Sequence, residues 1–541
     1  MIKNRIKTLR KKFDRFDIDG YIVPKNDEFF SEYAENDRLK NISSFTGSAG
    51  LAIILKKKNY LFVDGRYTIQ AQNESGKNFK IIEIHKKLPH EVIKNYKLGF
   101  DPNLFTSKKL RYYFSKNNKL ILINNNLIDK IFKNRLIPKK PFFSLHKKIT
   151  GESHKSKIKK IINFLKLNKT DYLFISAPEN VAWLLNIRGH DNPTSPIPNS
   201  RLIIGKNKQL LLFTKKDNIK KIISEKKIKN NQVFDFLNFK EIIEKLDGSN
   251  FIIDDYSCSV FAENIIKSKF KILTKEDPIY KLKSVKNSSE IKNMIQAHKK
   301  DGLALTKFIY WLKNVNKKNI TEVHAQNKLE RFRKMDQDYL YPSFNTIAGT
   351  GSNGAIVHYR ATKKNTKNIN SKDIFLCDSG GQYKYGTTDV TRTICFSTQK
   401  QYIIDTFTKV LKGHIAVALT NLNKDNTGKK IDIKARRFLK EDGLDYAHGT
   451  GHGVGFFLNV HEGPQSISKY NTIKIEKGMI LSNEPGFYKK NYFGIRIENL
   501  VYVRQTKNNL YFENLTLAPI EKDLINYTLL DKKEKDYLFK Y

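Results

Sequence analysis

The stretch DIFLCDSGGQYKYGTTDVTRTICF, residues 373–396, holds three carboxylates, two of which, Asp378 and Asp389, stand in a pattern that could do chemistry. An apolar run leads into Asp378, a glycine-rich turn follows, and β-branched residues surround Asp389. Two β-branched-rich runs separated by glycines read as a hairpin. Folded back near Tyr383 and Lys384, it sets Asp378 and Asp389 opposite each other on one face. Two facing carboxylates repel and need a shared proton or a cation. Taken alone, the stretch reads equally as a surface hairpin with two solvated aspartates.

Three later segments add matching chemistry. HGTGHGVG is a glycine-interrupted loop carrying His448 and His452, and Glu484 follows an apolar run in GMILSNEPG. In FGIRIENLVYV, strand periodicity puts Gly494, Arg496 and Glu498 on one face and Phe493, Ile495 and Ile497 on the other. Two Asp, one His and two Glu make an oxygen-rich set that can hold two divalent cations about 3.5–4 Å apart, with bridging carboxylates and a water. Such a set suits Mn²⁺, and Co²⁺ or Zn²⁺ could occupy it, because affinity order alone does not select manganese.

The order Asp378, Asp389, His452, Glu484, Glu498 resembles the ligand set of the pita-bread metallopeptidases, which include methionine aminopeptidase, prolidase and aminopeptidase P. The words NGAIVHY, DSGGQYKYGTTDVTRT, HGTGHGVGFFLNVHEGP, SNEPGFY and GIRIENLV resemble the long, three-domain Xaa-Pro aminopeptidases. So do GYIVPKNDEFFSEY, FTGSAG, VDGRYTIQAQ and ENVAWLLNIRG upstream, so the resemblance covers nearly the whole chain. It implies an α+β architecture: two tandem creatinase-N-like α/β domains, residues 1–145 and 146–283, then a pita-bread catalytic domain, 284–541. It also implies that His452 and Glu484 bind one metal, Asp378 the other, and that Asp389 and Glu498 bridge them. Glu484 is then the general base as well.

His358, His448 and His461 fall where that family keeps active-site histidines that are not ligands. His461 is assigned to the scissile carbonyl, and the others to positioning substrate and moving protons. Arg496 shares a face with Glu498 and is expected to orient it, a plain cross-strand salt bridge being the alternative. Trp183, Arg188 and Asp191 are expected to reach the site from the second domain, core packing being equally open for Trp183. The implied substrates are peptides with proline second. That bond is a tertiary amide without N–H, which a peptidase gripping the amide hydrogen handles poorly. The rival readings are a prolidase-type dipeptidase and a non-enzymatic pita-bread binder of peptide or nucleic acid. A homodimer is expected. The tail LLDKKEKDYLFKY stops where the family continues into a further helix, so that helix's packing and dimer contacts are not carried over. Tyr385 stands where the family has a small turn residue, so the turn is expected to differ in detail.

Bulk properties bound these readings. The 541 residues carry a net charge of +45. Lysine outnumbers arginine about five to one and is spread along the chain, although arginine is the better phosphate fork. Compositional drift therefore explains the charge better than nucleic-acid binding, and no specific nucleic acid is expected. Three scattered cysteines exclude a disulfide framework and fit a reducing cytoplasm. No apolar run approaches the roughly 20 residues needed to span a bilayer. Asn287 and Glu290 form a capping pattern that opens a long helix, followed by a second helix over about 322–335.

Overall fold

Residues 2–33, 36–114, 117–132 and 140–541 are described by a computed structural model. The chain divides into two compact units, Met1–Tyr280 and Lys281–Tyr541.

The first unit holds two six-stranded sheets with one topology used twice. In the first sheet the order is Lys80–Glu83, Asn59–Val63, Leu51–Leu55, Gly20–Pro24, Lys97–Phe100, Lys119–Leu122. In the second it is Val233–Phe234, Leu210–Phe213, Arg201–Gly205, Tyr172–Ile175, Asn250–Ile253, Lys271–Thr274. Taken in that order, each sheet pairs parallel, antiparallel, antiparallel, parallel, parallel. The expected tandem echo is therefore a repeated architecture. GYIVP, LAIIL and YLFI are buried at every position. That explains their continuous apolar runs, since a strand covered on both faces has no polar side to alternate with. Trp183 packs in this unit at 5% exposure, with the Lys157 ammonium 3.8 Å from its ring centroid. Arg188 is buried and donates to the carbonyls of Ala182 and Ile187.

The second unit opens on the helix Ser288–Asn314, with Asn287 as N-cap and Glu290 closing the capping box. Glu322–Arg333 follows it. Leu305, Phe308, Leu312 and Leu329 of these helices pack against Phe375, Cys377, Val390 and Ile394 of two strands, Phe375–Ser379 and Val390–Ile394. Strand periodicity then turns Asp378 and Thr391 away from that core. A second helix pair, Gln401–Ala418 and Gly428–Lys440, packs with Phe493, Ile495 and Ile497. Arg496 and Glu498 are thereby left for the opposite face, as the periodicity predicts. The tail forms the helix Lys532–Lys540, and the Tyr541 hydroxyl donates to the Ala518 carbonyl. Tyr385 does not adopt positive φ, and its ring meets Phe457 edge-on.

Candidate metal centre

Five strand-end or loop positions converge in the second unit. Asp378 lies on Phe375–Ser379 and pairs across with Thr391, not with Asp389. The reversal pairs Tyr383 with Gly386 and Gln382 with Thr387, and that register runs out to Ser379 and Val390. Asp389 therefore sits on the same face as Asp378 but diagonally, one side-chain repeat along. The expected directly opposed pair is corrected to this diagonal, which is within reach for two carboxylates sharing cations. His452 lies on the short strand Gly451–Gly453, Glu484 follows Ile480–Asn483, and Glu498 links Phe493–Arg496 to Asn499–Thr506. Gly451 allows this meeting, because a Cβ there would stand 1.9 Å from the Ser482 carbonyl oxygen.

The donor atoms form overlapping clusters. One oxygen each from Asp378, Asp389 and Glu498 lie within 4.8 Å of one another, as do donors of His452, Glu484 and Glu498, and of Asp389, His452 and His461. Nε2 of His452 is 3.4 Å from both Asp389 Oδ2 and Glu484 Oε1. Its Nδ1 is 3.0 Å from the Gly453 carbonyl oxygen, which fixes the proton there and leaves the Nε2 lone pair facing the carboxylates. Asp378 Oδ1 is buried without a hydrogen-bond partner. Burial, then the neighbouring charges of Asp378 and Glu484, raise the Asp389 carboxyl well above its ordinary value. Burial, Asp389 and Glu484 do the same for Glu498. An orphaned carboxylate oxygen among mutually repelling buried acids fits divalent cations.

A polar shell orients these groups. Arg496 donates to Asp378 Oδ2 at 2.6 Å, to Thr391 Oγ1 at 3.0 Å and to the Tyr488 hydroxyl at 2.6 Å. Thr391 in turn donates to Glu498 Oε2 at 2.7 Å. Arg496 thus grips Asp378 directly and reaches Glu498 only through a threonine. Burial alone would lower its pKa, but Tyr488, Asp378, Glu484 and Glu498 outweigh that and hold it well above the ordinary value. The Ser482 hydroxyl donates to Glu484 Oε1 at 2.9 Å and accepts the His452 amide at 2.9 Å. His448 Nε2 is 2.9 Å from the Tyr488 hydroxyl, which burial pushes up to about 12. His461 stacks edge-on against His452, ring centroids 4.3 Å apart. His358 is half-buried in the turn after Gly351–Asn353 and belongs to none of the donor clusters. Sequence reasoning missed Thr391, Tyr488 and Ser482. A further cluster, Cys395, Glu521 and Asp523, already has its cation, since Lys313 binds both carboxylates at 2.7 and 3.0 Å.

Sequence comparison defines the class. Residues 292–505 match metallopeptidase family M24, and residues 5–130 and 133–290 each match a Creatinase/Prolidase N-terminal domain. The architecture is thus two creatinase-N domains followed by a pita-bread metallopeptidase domain. The chain is 36% identical over 579 residues to a probable Xaa-Pro aminopeptidase P of Laccaria bicolor, covering 99% of this chain and 89% of that protein. It is also 36% identical to Xaa-Pro aminopeptidase 1 of Dictyostelium discoideum, covering 100% and 92%. The chain belongs to the Xaa-Pro aminopeptidase family. An X-prolyl aminopeptidase from Caenorhabditis elegans, described as a cytosolic enzyme with a di-nuclear active site, superposes with a TM-score of 0.90 at 28% identity, over 100% of this chain and 95% of that one. Prolidase from Pyrococcus furiosus matches over 66% of this chain and 98% of its own, with a TM-score of 0.53 and 26% identity.

Proposed function

We propose that this chain releases the N-terminal residue from peptides with proline at the second position. The observation that carries the reading is the convergence of four acidic side chains with His452 Nε2, in a chain that matches aminopeptidases of that specificity along its length. Asp378, Asp389, His452, Glu484 and Glu498 would hold two cations, with Asp389 and Glu498 shared, since each lies in one donor cluster with Asp378 and in another with His452. Bound there, divalent cations supply Lewis acidity to a water and to the scissile carbonyl. Glu484, its Oε1 steadied by Ser482, takes a proton from the attacking water. His461 donates to the oxygen that gains charge as the carbonyl becomes tetrahedral. His358 and His448 position the peptide and return a proton to the proline nitrogen, which leaves as a secondary amine. Arg496 keeps Asp378 in place and carries no proton itself.

Oxygen-rich donors with one imidazole support Mn²⁺, with Co²⁺ or Zn²⁺ as alternatives that reconstitution would separate. The family resemblance supports a homodimer, and the cytosolic description of the nematode enzyme supports a cytoplasmic location. No helix among the described residues is long and apolar enough to cross a membrane. Asp389→Asn tests the centre: loss of at least one metal by elemental analysis and of nearly all Xaa-Pro-Yaa hydrolysis, with the fold retained, is expected. Two metals per chain with normal turnover in that variant would overturn the assignment.

A further inference from the structure

His461 belongs to the donor cluster on one side, and its chain neighbour Glu462 belongs to a buried ionic corner on the other. A ring nitrogen of His461 lies within 4.8 Å of donor atoms of Asp389 and His452. Strand periodicity turns Glu462 to the opposite side. The loop between His452 and His461 is built onto that second carboxylate. Gly453 pairs with Glu462 after a register shift next to His452, so the strand is anchored again at Glu462. The Gly455 amide donates to the Asn459 carbonyl at 3.0 Å, and a Cβ on Gly455 would stand 3.1 Å from Glu462 Oε2. The loop rests on the carboxylate with no room for a side chain.

Two ammonium groups hold Glu462 at both oxygens. Lys283 Nζ is 3.0 Å from Oε2, and Lys286 Nζ donates to Oε1. All three side chains are buried. The lysines are fixed in turn. Lys283 lies in the helix Pro278–Ser284, the Lys286 amide donates to the Gly478 carbonyl at 2.9 Å, and Val285 bridges to Met479. Glu290, which closes the capping box of Ser288–Asn314, is also within electrostatic reach of Lys286. The charges of this corner offset one another. Apolar residues of similar volume stabilise a fold as well as such buried pairs do, so stability alone does not account for them. A carboxylate held by charged donors at both oxygens has instead a fixed direction.

We propose, resting on the donor role assigned to His461 above, that Lys283, Lys286 and Glu462 are positioning residues that hold the His461 ring where the scissile carbonyl oxygen gains charge. Asp378 and Asp389 stand on other strands, outside this corner. Loosening Glu462 therefore moves the donor and leaves those ligands in place. A donor displaced from the oxyanion loses an interaction made only in the transition state, which lowers kcat without changing KM.

The test is steady-state hydrolysis of Ala-Pro-Ala by the Mn²⁺-loaded full chain carrying Lys283→Met or Glu462→Asp, each alone and combined with His461→Ala. Lys283→Met leaves Glu462 paired with Lys286, and Glu462→Asp keeps the charge while shortening its reach. Each should lower kcat by about tenfold, with KM and metal content unchanged. In the His461→Ala background the same changes should cost less than about twofold, because the ring they position is gone. Wild-type kcat in the folded variants overturns the proposal. An undiminished loss in the His461→Ala background also overturns it, since that marks a general structural role. Wild-type turnover in His461→Ala alone overturns the donor role of His461 together with the proposal, so the two failures are told apart. Lys286→Met, which leaves the carboxylate paired with Lys283, replaces either variant that does not fold.

Discussion

Single side chains set the electrostatic problem of the catalytic unit, because Asp378, Asp389, Glu484 and Glu498 crowd together with Arg496 as the cation hydrogen-bonded to the group. Asp389 and Glu498 have carboxyls raised well above 3.8 and 4.5. Without cations, the folded chain therefore keeps protons that the unfolded chain releases. Their contribution is present at low pH and is lost as pH rises through the raised values. Bound cations replace those protons, so the loss should vanish in the loaded protein. Thermal melts with chelator and with Mn²⁺, compared between roughly pH 5 and 8, should diverge as pH rises. A gap of constant size would contradict the cation reading. His461 gives a second outcome at this scale. If it donates to the developing oxyanion, His461→Ala should cut turnover by about 10²–10³-fold while metal content stays unchanged. Wild-type turnover in that variant would make it a bystander.

At the level of elements, the sequence disclosed the strands and loops that carry chemistry better than the contacts that hold them. Asp378, Glu484 and Glu498 were legible because each ends an apolar or alternating run, where strand periodicity says which side the next residue faces. The hairpin was legible from its glycines, but its register was not. The reversal at Lys384 and Tyr385 decides whether Asp378 meets Asp389 or Thr391, and local pattern does not count that residue. Thr391, Ser482 and Tyr488 escaped notice because hydroxyl residues are ordinary in strands. Their meaning comes from partners such as Glu498 and Arg496, supplied by other strands. The same blindness hid a buried triad beside His461. Glu462 begins the strand Glu462–Ile467 and takes the ammonium groups of both Lys283 and Lys286, all three under a tenth exposed. Burial alone would raise the Glu462 pKa, and the two lysines outweigh it. Glu462→Gln leaves two buried ammonium groups without their counter-charge and should destabilise by about 3–5 kcal/mol in chemical denaturation. Replacing all three with apolar residues of similar volume should cost far less. Equal losses in the two variants would show that packing, not charge, governs this corner.

Across the whole molecule, one sheet topology is used twice in the first unit, ahead of the metallopeptidase domain. The Pyrococcus prolidase is spanned almost entirely by 66% of this chain, whereas the nematode aminopeptidase is matched over all of this chain and 95% of its own. The remaining third of this chain lies outside that match. A dipeptidase recognises the free carboxylate of the proline, so its site must supply a cation and close beyond that residue. An aminopeptidase must do the reverse, leaving the carbonyl side of the proline open and spending no charge on it, because in a longer peptide that carbon is a neutral amide. Extending the substrate from Xaa-Pro to Xaa-Pro-Yaa then removes an unpaired carboxylate from the site and adds backbone to bind. The expected result is a higher kcat/KM for tripeptides and longer peptides than for Xaa-Pro dipeptides. Exchange of the second-position proline for alanine should cost several-fold or more, since the proline ring fixes φ near −65° and fits one backbone path. Kinetics on Xaa-Pro, Xaa-Pro-Yaa and Xaa-Ala-Yaa series with Mn²⁺-loaded protein measure both effects. Cleavage confined to dipeptides would make this a prolidase despite its doubled N-terminal fold, and equal rates on alanine peptides would make it a general aminopeptidase.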